Sequence, residues 1–341
     1  MAGLPQDPSA LRAWLLANVP GVPDEPIQLE LISGGASNVT MAVTMGEREL
    51  VVRRPPVGAF LPTANDMARE YRFYTALRDT PVPTPEAFAF CDDTDVLGAP
   101  FYVMERLHGV VPHEPALLAG LSDADGRAIC ERFVEVLAAI HAVDLDAVGL
   151  ADIGKPTGYL ERQVRRWSEQ WRLTKEADAL AADAGIDELA GILGDHLPTS
   201  PPTTIVHGDY RLGNVMLDPV GRTDIVGVFD WEMATIGDPL ADLGYTLLYW
   251  GARDRPVFHP SQAIADLPGF MSGAELAARY AEVSGRTVDH VTFYVVLAAF
   301  KLSIIGAGNV ARLRASGADV PSSVATGPLA EWALALWADA G

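Results

Sequence analysis

The sequence of 341 residues contains little cysteine and little positive charge. Its two cysteines, Cys91 and Cys130, are too few for a disulfide framework, and no CxxC or Cys/His cluster indicates a zinc site. Lysine and arginine number 25 against 45 aspartates and glutamates, which gives a net charge of −20. A negative field of this size serves solubility, and it disfavours nucleic acid and anionic membrane surfaces as partners.

Long polar tracts, internal repeats and low-complexity segments are also absent, and 49% of the residues are hydrophobic. The N-terminus has no charged region followed by an apolar stretch, so we expect a cytoplasmic protein. The most apolar segment, residues 291–308, contains Lys301 and ends in glycines. This composition favours a buried core helix over a membrane span. The oligomeric state is not predicted by the sequence.

The chain changes character after its first third. The first third alternates in the manner of short strands, with a turn at Gly46–Glu47, and contains one segment with helical spacing, residues 63–79. Most of the remainder has helical periodicity, except for two short strands that bracket loops within 203–231. The sequence therefore predicts an α+β fold with two parts. The later helical segments are residues 122–142, residues 157–180 and most of the chain beyond 240.

The stretch HGDYRLGN, residues 207–214, places polar side chains between two apolar segments, and VFDWE follows a second apolar strand. If the two strands are neighbours, Asp209, Asn214 and Asp230 meet at one edge. Asn214 and Asp230 are hard oxygen donors that suit Mg²⁺, and Asp209 is then available to orient a hydroxyl or accept its proton. Asp, Asn and Gly are also common turn residues, but the set matches H-x-D-x-x-x-x-N at every fixed position, which favours phosphoryl transfer.

These motifs resemble the aminoglycoside phosphotransferase/choline kinase family over about residues 26–310. The resemblance is closest to the kinase domains of acyl-CoA dehydrogenase family members 10 and 11, through LVVRRPP, REYRFYTAL, YLERQVRRW and FDWEMATIGDPLADLGY. It implies a bilobal protein-kinase-like fold, with a small β-rich N-lobe over residues 1–107 and a larger, mainly helical C-lobe over residues 108–341. It also implies ATP or GTP with Mg²⁺, and a small-molecule hydroxyl as the acceptor.

The resemblance implies catalytic roles for four residues: Asp209 as the base, Asn214 and Asp230 as the metal ligands, and Arg211 where many kinases have a lysine directed to the γ-phosphate. We expect His207 to brace the loop by hydrogen bonding rather than to act in catalysis. Two further aspartates have structural roles in this hypothesis: Asp242 resembles the buried residue that holds the catalytic-loop backbone, and Asp238 is interpreted as a helix cap or turn residue.

The nucleotide site is predicted from the first lobe. The segment SGGASN resembles the family's phosphate loop, whose N–H groups and polar side chains would contact phosphate oxygens. Arg53 stands where the family usually has a strand lysine, and we expect it to pair with Glu70 of the first-lobe helix. Met104 and Glu105 are expected to present backbone groups to the purine. The phosphate-loop residues assigned to the nucleotide are Ser33, Gly34, Gly35, Ser37 and Asn38.

The acceptor pocket is expected beside the helix that contains YLERQVRRWSEQWR. Arg162 and Arg166 are four residues apart and face together, so they would either form a solvated face or clamp an anionic substrate group. Trp167 would be either a core residue or a stacking platform for the substrate. We assign Arg162, Arg166 and Trp167 to the substrate, and the arginines disfavour a polycationic aminoglycoside.

The sequence thus predicts a kinase that transfers the γ-phosphoryl group of ATP to a substrate hydroxyl, with a hydroxyacyl-CoA as the favoured acceptor. Two alternatives remain open. One is an O-phosphotransferase for aminoglycosides or other amino alcohols. The other is a nucleotide-binding regulatory module with impaired catalysis, which the replacement of the strand lysine by Arg53 would favour.

Overall fold

The computed structural model describes residues 4–34, 38–56, 66–178, 183–251, 253, 255–319 and 327–340. These residues form two compact units. The first unit comprises the residues up to Gly109 together with Val226–Ala234, and the second comprises Val110–Ile225 and the residues from Thr235 onward.

The regular elements of the described residues agree with the predicted α+β class. The strands are β1 (Ile27–Gly34), β2 (Val39–Met45), β3 (Arg48–Arg54), β4 (Ala87–Cys91), β5 (Phe101–Glu105), β6 (Thr204–Val206), β7 (Val215–Leu217), β8 (Ile225–Val228) and β9 (Thr235–Gly237). The helices are α1 (Ser9–Asn18), α2 (Met67–Leu77), α3 (Thr94–Leu97), α4 (Asp123–His141), α5 (Tyr159–Ala177), α6 (Ala184–Asp195), α7 (Leu240–Leu248), α8 (Gly273–Ser284), α9 (Val291–Ser316) and α10 (Gly327–Ala340).

The first unit is built on a five-stranded antiparallel sheet in the order β1-β2-β3-β5-β4. Gly46 has a φ of +58° in the predicted turn between β2 and β3, a conformation that glycine adopts at little cost. Strand β3 is central, so Arg53 lies opposite Thr40 of β2 and Tyr102 of β5. Helix α2, which packs against β4 and β5, brings Glu70 to the same unit.

The segment Val226–Ala234 folds with the first unit although it is distant in sequence. Trp231 is fully buried and stacks on Phe73 of α2, with ring centroids 5.8 Å apart. The Val228 N–H donates to the carbonyl oxygen of Pro83 at 2.8 Å. These contacts place Asp230 in the unit that contains Arg53 and Glu70. The predicted boundary at residue 107 would have placed it in the later lobe.

Helix α9 is the centre of the second unit and packs against α5, α6, α7 and α10. Among the described residues it is the one helix long and apolar enough to cross a membrane, judged by length and composition alone. However, 61% of its most apolar window is buried inside the protein. It therefore has the burial expected of a core helix.

The crossing of α7 and α9 depends on Gly244. A Cβ placed on Gly244 would lie 2.5 Å from the backbone carbon of Tyr294, closer than real contacts permit. The two helix backbones therefore approach each other closely beside Asp242 and Tyr245, which are also on α7.

We predict that Gly244→Ala destabilises the protein by about 1–3 kcal/mol, because the added methyl group forces α7 and α9 apart. Denaturant unfolding, followed by circular dichroism, measures this loss.

The matched control is Gly191→Ala in α6, where an added Cβ meets no atom within 4 Å. There the helix propensity of alanine should stabilise the protein by up to about 1 kcal/mol. Equal effects of the two substitutions would contradict the close approach at Gly244.

Candidate active site

The loop that follows β6 is held by one buried carboxylate. Asp242 Oδ2 accepts the N–H of His207 at 2.6 Å, and its Oδ1 accepts the N–H of Gly208 at 2.7 Å. Gly208 has a φ of +85°, so the loop turns sharply where the second bond forms. These bonds are the ones expected of Asp242 from the sequence, and they fix the backbone just before Asp209.

The Asp242 carboxylate has no solvent exposure and is further held by a histidine. His141 Nε2 lies 3.2 Å from Asp242 Oδ2, and its Nδ1 lies 2.7 Å from the Tyr280 hydroxyl. Burial favours the neutral acid, but the hydrogen bond and charge of His141 and the loop N–H groups outweigh it. The pKa of Asp242 is therefore lowered, and the residue stays ionised inside the core.

His207 acts as a brace, as the sequence predicted. Its side chain is fully buried, and its Nδ1 accepts the N–H of Asp209 at 3.2 Å. Since this nitrogen accepts a hydrogen bond within the loop, the ring supports Asp209 instead of reaching a substrate. Asp238 likewise has the structural role expected of a cap or turn residue, because its Oδ1 accepts the N–H of Leu240, the first residue of α7.

Asp209 and Asn214 are brought together within the second unit. The Asn214 amide donates to the backbone oxygen of Asp209 at 2.8 Å and to its Oδ2 at 2.7 Å. Among the described residues no donor hydrogen-bonds to Asp209 Oδ1, which instead forms an ion pair with Arg211, whose Nε lies 3.4 Å away. One oxygen of the carboxylate is thus fixed by Asn214, and the other faces the Arg211 guanidinium.

Arg211 lies beside the candidate base. Its guanidinium stacks over the ring of Tyr249 at 5.5 Å. Burial and the charge of Asp209 together raise the pKa of the neighbouring Tyr245 hydroxyl well above its usual range, so this group stays protonated. The described residues thus place Asp209 between a fixed cation and a neutral phenol.

Within the first unit, Arg53 meets the three carboxylates around it. Arg53 Nε lies 3.3 Å from Glu70 Oε2, and its terminal nitrogen lies 2.5 Å from Asp230 Oδ1 and 3.9 Å from Glu232 Oε2. The Glu70 pairing is the one that the sequence predicted for an arginine in place of the strand lysine. Asp230 adopts the left-handed conformation, with a φ of +67°, which aspartate tolerates better than most residues.

The electrostatics of this cluster follow from burial. Burial opposes the charge of Arg53, but the carboxylates of Glu70 and Asp230 outweigh it and raise the pKa of Arg53. Glu70 is fully enclosed, and burial together with the charges of Asp230 and Glu232 raises its pKa to about 7, despite the attraction of Arg53. Arg53 is therefore a permanent cation that holds several acids together.

The predicted phosphate loop is described only in part. Ser33 and Gly34 end β1, and Gly35 and Ser37 lie outside the described residues. Asn38 is buried and donates from its amide to Glu232 Oε2 at 3.1 Å. The assignment of this loop to phosphate stays a prediction.

The predicted purine contacts lie at the end of β5. Met104 is buried and pairs with Val51 of β3, and the Glu105 N–H already donates to the carbonyl oxygen of Glu86 at 2.8 Å. A purine would therefore need the remaining backbone groups of this segment, which leaves the assignment of Met104 and Glu105 a prediction.

The structure gives different contacts to the three residues assigned to the substrate. Arg162 donates to the carbonyl oxygens of Thr157 and Lys155, the latter at 2.7 Å, and so supports the loop before α5. Arg166 is exposed and lies over the Trp167 ring at 5.6 Å. Of the three, only Trp167 lines a cavity that also reaches Gly208 of the catalytic loop. The loop before α5 therefore uses the Arg162 guanidinium, and the arginine clamp stays a prediction.

Sequence reasoning missed two contacts of the catalytic loop. Lys301 donates from its ammonium to the Gly208 carbonyl oxygen at 2.7 Å, and His141 holds Asp242. A lone lysine inside an apolar helix and a histidine at the end of an amphipathic helix were the available indications. Neither residue could be assigned to the loop from local sequence patterns, because these contacts join residues about a hundred positions apart in sequence.

A magnesium ion would need oxygen donors from this chain. The described residues contain no group of three or more His, Cys, Asp or Glu side chains suited to a metal ion. Mg²⁺ does not need such a cage, since it keeps several waters and takes one or two carboxylates plus phosphates. The Asn214 amide nitrogen is occupied by Asp209, which leaves its carbonyl oxygen as a hard donor, and Arg53 bonds only Oδ1 of Asp230. Each of these two residues, taken within its own unit, therefore offers an oxygen that suits the ion.

Curated relatives match nearly the whole chain. It is 33% identical over 332 residues to acyl-CoA dehydrogenase family member 10 of Mus musculus, which covers 96% of this chain and 30% of that protein. It is 32% identical to acyl-CoA dehydrogenase family member 11 of Gallus gallus, with 97% of this chain and 43% of that protein covered. The chain thus spans less than half the length of these relatives, and the predicted resemblance to both is confirmed.

Solved structures share the fold. A putative aminoglycoside phosphotransferase from Ralstonia eutropha is 31% identical, with a TM-score of 0.83 over 98% of both chains. A thermostable mutant of aminoglycoside phosphotransferase APH(4)-Ia, in complex with AMP-PNP and hygromycin B, is 17% identical with a TM-score of 0.61, over 96% of this chain and 98% of that one. The second likeness shows the fold alone, which is the predicted protein-kinase-like fold.

The fold and these likenesses define the class of protein as a phosphotransferase. The model of the phosphotransferase enzyme family matches residues 28–278, which is most of the chain. The chain belongs to this family.

The Arg53 cluster yields a stability prediction. Arg53→Met should destabilise the protein by about 3–5 kcal/mol, because it leaves the buried Glu70 carboxylate without a cation. The double variant Arg53→Met/Glu70→Met should recover most of this loss, as denaturant unfolding would show. As a surface control, Arg106→Met, which breaks the more exposed pair with Glu49, should cost about 1 kcal/mol or less.

The loss in Arg53→Met should also depend on pH. Glu70 binds its proton more tightly in the folded protein than in the unfolded chain, so its contribution to stability falls as the pH rises towards the folded pKa of about 7. Removing Arg53 raises that pKa further. The loss should therefore be smaller at about pH 5 than at about pH 8. A loss independent of pH would show that Glu70 is not the group left unpaired.

Proposed function

We propose that this protein transfers the γ-phosphoryl group of ATP, or of GTP, to a hydroxyl of a small molecule, with Asp209 as the base. The observation that supports this most directly is the fixation of Asp209. Its backbone is held through His207 and Asp242, one carboxylate oxygen is bonded to Asn214, and the other is left for a hydroxyl. A base must be held within hydrogen-bond reach of the proton that it accepts.

In the proposed step, the acceptor hydroxyl gives its proton to Asp209 Oδ1 as its oxygen forms a bond to the γ-phosphorus. The bond from that phosphorus to the ADP oxygen breaks, which leaves ADP and a phosphate ester. Arg211, the cation nearest Asp209, is proposed to face the transferred group, since phosphoryl transfer depends mainly on positioning and charge. Magnesium, when bound, neutralises phosphate charge, and we propose that Asn214 and Asp230 hold it.

The nucleotide is proposed to lie on the first unit. Arg53, held by Glu70 and Asp230, supplies the charge that the strand lysine gives in related enzymes, and its fork could reach a phosphate oxygen. Backbone groups of residues 33–38 are proposed to contact the phosphates, and residues near 104–105 the purine. The AMP-PNP in the complex of the APH(4)-Ia neighbour supports a nucleoside triphosphate as donor.

The acceptor is proposed to be the hydroxyl of an acyl chain carried on coenzyme A. The relatives are named acyl-CoA dehydrogenase family members, and the chain corresponds to a part of them. Arg165 and Arg166 are exposed on α5, where they could meet the phosphates of that carrier. Arg162 is less suited to bind these phosphates than the sequence suggested, because its guanidinium already donates to a carbonyl oxygen of the loop before α5.

We predict that Asp209→Asn lowers turnover by about 10²–10⁴-fold, because the amide cannot accept the hydroxyl proton. Binding of Mg·AMP-PNP should stay within about threefold of wild type. ADP release with a hydroxyacyl-CoA acceptor, together with calorimetry of the nucleotide, measures both quantities. Turnover near that of wild type would remove Asp209 from the role of base and favour a regulatory module.

Asp230→Ala should differ from Asp209→Asn. Loss of a metal donor should weaken Mg·AMP-PNP binding and turnover together, while binding of AMP-PNP without Mg²⁺ changes little. Glu232→Ala is the matched control, since Glu232 also faces Arg53 but has no proposed metal role. Calorimetry that shows equal Mg·AMP-PNP affinity for wild type and Asp230→Ala would remove Asp230 from the metal site.

A further inference from the structure

Lys301 is an unusual residue in its setting. It is one of three lysines in the chain, with Lys155 and Lys175, and it projects from the apolar helix α9. A charged group in such a helix loses much of its hydration, so it is retained only where specific contacts compensate. The contacts of Lys301 are therefore informative about the cavity that it lines.

Lys301 lies in a cavity of the second unit beside the catalytic loop. The cavity is lined by aromatic and polar side chains and by the backbone of the loop next to Asp209. The lining residues include Trp167, Tyr245, Gly208, Asp242 and Lys301.

The ammonium of Lys301 sits between two aromatic rings. Its Nζ lies 4.7 Å from the Tyr245 ring centre and 5.9 Å from the Trp167 ring centre, within the range of a cation–π contact. It also donates to the Gly208 carbonyl oxygen at 2.7 Å. Proteins bind the ammonium group of a ligand with aromatic faces and carbonyl oxygens. Here the Lys301 ammonium already occupies such a position.

The carboxylates near the cavity do not make it a site for the ammonium group of a ligand. Asp242 lines the cavity, but both of its oxygens accept loop N–H groups and one also meets His141. Asp209 Oδ1 faces Arg211 Nε at 3.4 Å, and in the proposed function it accepts the hydroxyl proton. A second cation would therefore meet the Lys301 charge without a carboxylate of its own, whereas an anionic or carbonyl oxygen would meet a donor.

We propose that Lys301 determines the acceptor class, binding an anionic or carbonyl oxygen of the substrate and excluding substrates with an ammonium near the reacting hydroxyl. This inference rests on the proposed function and narrows its acceptor. A carboxylate or a thioester carbonyl oxygen would provide the partner, and choline-like and aminoglycoside amines would be rejected. Lys301 is a specificity residue here, since Asp209 performs the chemistry.

The test uses three probes of equal chain length that share a hydroxyl at one end. The other end is a carboxylate in ω-hydroxyhexanoate, a hydroxyl in hexanediol and an ammonium in ω-aminohexanol. Their affinities for the full chain with saturating Mg·ADP are measured by calorimetry. Turnover is measured separately as ADP release from Mg·ATP.

Wild type should bind the hydroxy acid at least about tenfold more tightly than the amino alcohol, a difference of about 1.4 kcal/mol, with the diol between them. Lys301→Gln keeps a donor for the Gly208 carbonyl oxygen but removes the charge, and it should reduce the ratio to about threefold or less. Lys301→Met should do the same, and thermal melting of both variants checks that they fold. The matched control Lys175→Gln removes a lysine that lies over Trp171 at 5.3 Å, away from the cavity, and should keep the wild-type ratio.

Three results would overturn the inference: equal or tighter binding of the amino alcohol by wild type, no saturable binding of the hydroxy acid, or an unchanged ratio in folded Lys301 variants. Failure of the proposed function looks different. In that case the binding ratio and its loss in Lys301→Gln are observed, but no probe or hydroxyacyl-CoA stimulates ADP release.

Discussion

The second unit depends on the contact between the Asp242 carboxylate and the backbone of the loop after β6. A fully buried charge is costly, and here two loop N–H groups and His141 compensate it. The close approach of α7 to α9 at Gly244 places that carboxylate. In turn, the fixed loop aims Asp209 and allows Asn214 to hold one of its oxygens. Packing deep in the helical core thus determines the position of a side chain proposed to do chemistry.

In the first unit the buried charge that needs compensation is a cation, Arg53. Arg53 is an always-charged group among three acids, and it reaches two of them at once because its guanidinium is a planar fork. A lysine would offer a single point charge at the same place. The replacement of the usual lysine is therefore compatible with an ordered cluster, which weakens the argument that Arg53 indicates a protein without activity.

The sequence predicted the class of fold and much of the catalytic loop, since strand alternation, helical spacing and the HGDYRLGN motif are local patterns. It also predicted the Arg53–Glu70 pair and the Asp242 contacts, through the resemblance to a family. It did not predict that residues 226–234 fold with the first unit, which depends on Trp231 packing against Phe73. Nor did it predict the partners of Arg162 or the position of Lys301. Helical spacing shows which side chains share a face, but not which carbonyl oxygen or ring lies opposite them.

The central claim is that Asp209 directs a phosphoryl group to an alcohol. The most direct measurement is mass spectrometry of the acceptor after incubation with Mg·ATP and a panel of hydroxyacyl-CoA thioesters, with the modified oxygen located by NMR. The account predicts an acceptor heavier by one phosphoryl group, carried as an ester on the chain hydroxyl, with ADP formed in equal amount. Release of ADP and inorganic phosphate with every acceptor left unmodified, or a phosphoryl group on an amine, would contradict it.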